Sequence, residues 1–72
     1  MNEWSNKEYF IIKRIPYEYD QLPDYFDVIG GFTRLLKAIK TFYDIEEASK
    51  MIRVIKAFGT ESLNYTYEIV RI

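Results

Sequence analysis

Seventy-two residues make one domain, residues 1–72, near the lower size at which a single core can stabilise a chain. With no cysteine and no histidine, disulfides, thiolate metal sites and the commonest general base are all excluded. The net charge of −1 offers no general attraction to nucleic acid or anionic lipid.

Stability therefore rests on apolar burial, and the composition suits it: 49% hydrophobic and 18% aromatic, with seven Tyr and five Phe. No apolar run has the length of a membrane span or a signal-peptide core, and Met1-Asn2-Glu3-Trp4 lacks a basic leader. The expectation is a soluble, cytoplasmic protein with no membrane association. Charge is unevenly spread. Residues 1–31 carry six acids against three bases, net −3, whereas residues 32–58 carry three against six, net +3.

In chain order, the first element is a strand over residues 8–15, rich in β-branched and aromatic side chains and stopped by Pro16. Residues 16–31 are irregular, punctuated by Pro16 and Pro23 and closed by Gly30-Gly31, with a short helical turn expected over residues 24–29. Residues 33–42 read two ways. Phe32, Leu35, Leu36, Ile39 and Phe42 fit helical spacing, but a helix to Phe42 would have to turn at once into the next one. A strand ending in Lys40-Thr41-Phe42-Tyr43 that feeds directly into a helix is preferred.

That helix is marked at both ends. Asp44 and Glu47 have the spacing of a capping box, Ile45, Ala48, Met51, Ile52, Ile55 and Phe58 form one stripe, and Gly59 stands where a left-handed residue ends a helix. The chain finishes in a strand over residues 64–72, where Tyr65, Tyr67 and Ile69 alternate with Thr66, Glu68 and Val70. The predicted fold class is α+β: a three-stranded sheet, β-β-α-β in order 2-1-3, with one helix on one face, the alternative being β-α-α-β. Its expected core is Phe10, Ile12, Leu36, Met51, Ile52, Ile55, Phe58 and Ile69.

Candidate chemistry is sparse. Three serines and four threonines lie in no nucleophile motif, and Gly30-Gly31-Phe32-Thr33 is too short for a phosphate-binding loop. The pairs Asp20–Asp24 and Asp24–Asp27 have no apolar wall to separate their pKa values, and they lack the glycine and terminal Glu of a calcium loop. The chain is read as non-enzymatic, without catalytic residues, metal or cofactor.

The positive feature is the segment Tyr17, Glu18, Tyr19, Asp20, Asp24, Tyr25, Phe26 and Asp27, within a stretch with no Lys or Arg from Tyr17 to Thr33. Tyrosine suits interface cores because it adds contact area with one polar handle. An acidic, aromatic loop can engage a basic groove on another protein, including one that ordinarily holds nucleic-acid phosphates. These eight residues are the candidate partner-binding site, and homodimerisation through them is a third reading. The composition is similar to that of small, Lys-, Ile- and Tyr-rich, cysteine-free proteins encoded by phages and mobile elements of AT-rich bacteria. That similarity covers no motif; it implies an inhibitor of a host or defence protein. The alternative is a nucleic-acid platform of Tyr9, Tyr65 and Tyr67 with Lys13, Arg14 and Arg71 on the open sheet face.

Overall fold

In a computed structural model of the chain, which describes residues 8–59 and 63–72, an antiparallel sheet carries one α-helix. The Met1–Trp4 stretch lies outside those residues. The strands are β1 (Phe10–Pro16), β2 (Asp24–Phe26), β3 (Phe32–Thr33) and β4 (Tyr65–Arg71), and the helix is α1 (Ile45–Phe58). Both long strands fall where β-branched and aromatic density places them. β1 is central: it pairs with β4 along its whole length, Phe10 opposite Arg71 through Pro16 opposite Tyr65. On its other side Lys13 and Arg14 pair with Tyr25 and Asp24 of β2.

The sheet has four strands in the order β3-β2-β1-β4, not three in the order 2-1-3, and the described pairings are all antiparallel. The correction arises in two segments. Residues 24–29 do not form a helical turn. Asp24–Phe26 is a strand, because the Arg14–Asp24 ion pair and burial of Phe26 fix its register against β1. Residues 33–42 are neither the expected strand nor the alternative helix. β3 stops at Thr33, a single 3-10 turn spans Leu36–Ala38, and Ile39 and Phe42 make isolated bridges to Asp27 and Phe10. Extended backbone at Leu35 (φ −82°, ψ 115°) and Ile39 (φ −69°, ψ 132°) interrupts any longer helix.

The bridge at Phe42 retains part of the expected pairing. Phe10 and Phe42 exchange both backbone hydrogen bonds, at 2.8 and 2.7 Å, and Asp44 then starts α1. The Asp44 carboxylate accepts from the Glu46 N–H at 3.0 Å, while the Glu47 N–H donates to the Asp44 carbonyl. Among the described residues Glu47's carboxylate makes no return bond, so the cap is an Asp cap and not a reciprocal box. Gly59 is not left-handed either; its φ is −92°. A Cβ there would lie 2.8 Å from the Ile55 carbonyl oxygen, so glycine serves the close approach of its N–H to that carbonyl.

The two faces follow from strand alternation. Phe10 and Ile12 of β1, Phe26, Phe42 and Ala48 form the buried core, with Phe32, Met51, Ile52, Ile55, Tyr67 and Ile69 packed on it. Two expected core members are absent: Leu36 and Phe58 are each 84% exposed. Leu36 lies on a turn with no buried residue, and Phe58 is the last residue of α1.

Candidate functional site

Pro16 ends β1, and the chain leaves the sheet as a turn held from both sides. The Tyr17 N–H donates to the Asn64 carbonyl at 3.1 Å, next to the start of β4. At the far end the Arg34 guanidinium donates to the Leu22 and Pro23 carbonyls at 2.9 and 3.2 Å. Between them the Gln21 N–H donates to the Glu18 carbonyl, closing a four-residue turn, and the Gln21 side-chain amide donates to the Glu18 carboxylate. Tyr19 and Asp20 are the two central residues of that turn. Tyr19 is 100% exposed, and Tyr17 and Leu22 are exposed beside it. A hollow of about 260 Å³ lies at the base of the loop, lined by Pro16, Tyr17, Glu18, Gln21, Asn64 and Tyr65.

The eight candidate residues thus divide. Tyr17, Glu18, Tyr19 and Asp20 form the exposed tip. Asp24 receives a two-pronged pair from Arg14, Nε to Oδ1 at 2.8 Å and Nη2 to Oδ2 at 2.7 Å. Its hydrogen bond raises the Arg14 pKa further, against the opposing effect of burial. The guanidinium is also clamped between the Phe32 and Tyr65 rings, 3.9 and 4.2 Å from their centroids. Tyr25 is half-buried, with its neighbour Lys13 across the β1–β2 pairing. Phe26 is in the core, its ring 5.7 Å from Phe32 and 6.2 Å from Phe42. Asp27 is buried and shapes the β2–β3 connection, its Oδ1 accepting from the Ile29 and Gly31 N–H groups.

Asn64 and Tyr65 belong to the loop's surroundings although residues 17 and 64 are far apart in the chain. No local pattern announces that proximity; the β1–β4 register alone creates it. The six platform residues divide as well. By strand parity Arg14, Tyr65, Tyr67 and Arg71 share the helix side, while Tyr9 and Lys13 point to the opposite side. Arg14 is paired with Asp24, and Arg71 donates to Glu8 at 2.7 Å.

Among the described residues, no group of three or more Asp or Glu is placed to hold a metal ion, and no helix is long and apolar enough to cross a membrane. Comparison with protein-family models, with curated proteins and with solved structures finds no match.

Proposed function

We propose that this chain is a small non-enzymatic protein-binding module that holds a partner through the tip Tyr17, Glu18, Tyr19 and Asp20. The observation that carries the reading is the wholly exposed Tyr19 on a turn tethered at both ends. An aromatic side chain presented from a fixed backbone loses little entropy when a partner covers it, and it supplies a large contact area. Tyr19 contributes no burial to this domain, so its apolar ring is available to a second molecule.

The chemistry of the tip selects the partner. Glu18 and Asp20 flank Tyr19, and the nearest basic side chain in the loop's own tether, Arg34, is committed to carbonyl oxygens. The matching surface is basic with an apolar recess, as in a groove that ordinarily binds nucleic-acid phosphates. Occupying such a groove blocks it, and the function assigned is inhibition of a host or defence protein in the cytoplasm.

The test is affinity capture from a lysate of the organism that encodes the chain, with mass spectrometry of the retained proteins. A specific protein should be retained, and Tyr19→Ala combined with Asp20→Lys should lose it while the amide spectrum of the domain stays unchanged. Retention that ignores the double substitution, or no specific retention, rejects the reading. Capture of nucleic acid that weakens steeply with salt and survives the double substitution would instead assign a nucleic-acid function.

A further inference from the structure

One helix is about 10 Å across, and strands lie about 4.8 Å apart, so α1 can cover only about half of a four-stranded sheet. It packs on β1 and β4, leaving the helix-side surface of β2 and β3 beside it. Phe26 and Phe32 form the floor there, and Met51, Val54, Ile55 and Phe58 form the wall, around a cavity of about 480 Å³. A second cavity of about 440 Å³ continues it past Phe42 and Tyr43 and shares Met51 and Val54 with the first. Together they form one groove along α1 from Glu47 to Phe58. The eleven residue-to-residue steps from Glu47 to Phe58, at about 1.5 Å each, make this roughly 16 Å, or about three turns of a second helix lying alongside. Val54 is 48% exposed, and Phe58 is almost entirely so.

We infer that this groove is a docking site for an amphipathic helix of a partner protein, apolar at i, i+3 or i+4, and i+7, with acidic residues at one end. The apolar spacing follows from the floor and wall. The acidic end follows from the lining, which among the described residues places Lys40 and Lys50 against the single acid Glu47 near Tyr43 and no ionisable side chain between Phe26 and Phe58. The occupant completes the missing half of the helical layer. A second copy of this chain fits poorly, because the face of its own α1 that lies outside the groove and away from its sheet carries the charged side chains Glu46 and Arg53. The groove shares no lining residue with the hollow at the Tyr17 loop, so this inference stands apart from the proposed function.

The probe is a pair of stapled helical peptides of about three turns, each with Leu at i, i+3 and i+7. One carries two Glu at one end and the other two Lys in their place, and each is titrated into the isotopically labelled full chain. The acidic peptide should bind about tenfold more tightly than its lysine counterpart. Amide shifts should cluster at Phe32, Met51, Val54 and Phe58. Lys40→Glu with Lys50→Glu should reverse the preference, and Val54→Glu should weaken the acidic peptide about tenfold with the rest of the spectrum unchanged. If Val54→Glu perturbs the fold, Lys50→Glu alone decides by weakening the acidic peptide, since Lys50 is exposed whereas Lys40 is half-buried over the Phe42 ring. Equal affinities, shifts elsewhere, or no binding of either peptide overturn the inference. It is also overturned if Val54→Glu dissociates a dimer seen by sedimentation, or abolishes binding to anionic vesicles, because the occupant is then a second copy or a membrane.

Discussion

Arg14 illustrates how much one side chain can do in so small a domain: its guanidinium is forked onto Asp24 and stacked between Phe32 and Tyr65. Lysine keeps the charge but has neither the fork nor the planar faces. Arg14→Lys should therefore cost about 2 kcal/mol, read as a lower denaturant midpoint with an unchanged slope; an unmoved midpoint would mean the pair and the stack contribute nothing. Asp44→Ala should cost about 1 kcal/mol by leaving the Glu46 N–H uncapped, measured as a fall in thermal midpoint. These two residues also differ in legibility. Asp44's role is local, two residues from its partner, and reads directly from the sequence. Arg14 and Asp24 are ten residues apart on different strands, and only the β1–β2 register makes them partners. The same limit applies to Asp27, whose place in an acidic run suggests a surface charge although its carboxylate is enclosed by its own loop.

At the scale of elements, the helix and the two long strands were legible because the apolar periodicity, the Asp44 cap and the β-branched density agree with one another. Residues 33–42 were not. Their apolar spacing of 32, 35, 36, 39 and 42 satisfies a helical template, yet the chain buries Phe42 and leaves Leu35 and Leu36 outside. Periodicity reports which residues could share a face, not whether that face meets anything. Beyond Thr33 the segment pairs with the sheet at two isolated bridges, at Ile39 and Phe42, so its apolar residues carry unequal weight. Phe42→Ala should cost about 3–5 kcal/mol, since the ring is 4% exposed and stacks on Phe26, whereas Leu36→Ser should stay within about 0.5 kcal/mol of the parent. Chemical denaturation of the two variants side by side tests this. Comparable losses would show that the 3-10 turn belongs to the core after all.

For the whole molecule, β1 is the hub. It pairs with β2 on one edge and β4 on the other, and Phe10 alone reaches both Phe42 and Arg71. Opening β1 disrupts both halves of the sheet and uncovers Ile12, which is wholly buried, whereas the 3-10 turn has no buried residue to uncover. Both proposed binding surfaces hang on this frame, the tip at the Pro16 end of β1 and the groove over the β2–β3 half. Neither the groove nor the base of the loop was legible in the sequence, because each is assembled by strand register from residues distant in the chain. Native-state amide exchange should therefore rank the molecule from inside out: Ile11, Ile12 and Lys13 slowest, the exposed Leu36 and Lys37 of the 3-10 turn fastest, and the Tyr17 N–H, bonded to Asn64, between them. The Tyr19→Ala, Asp20→Lys double variant should leave the β1 rates unaltered, since both side chains lie outside every packed layer. If exchange in β1 instead accelerates in that variant, the loop is part of the domain's cooperative structure, and Tyr19 is exposed for folding's sake and not for a partner's. Equal rates across β1 and the 3-10 turn would show that edge and hub open together.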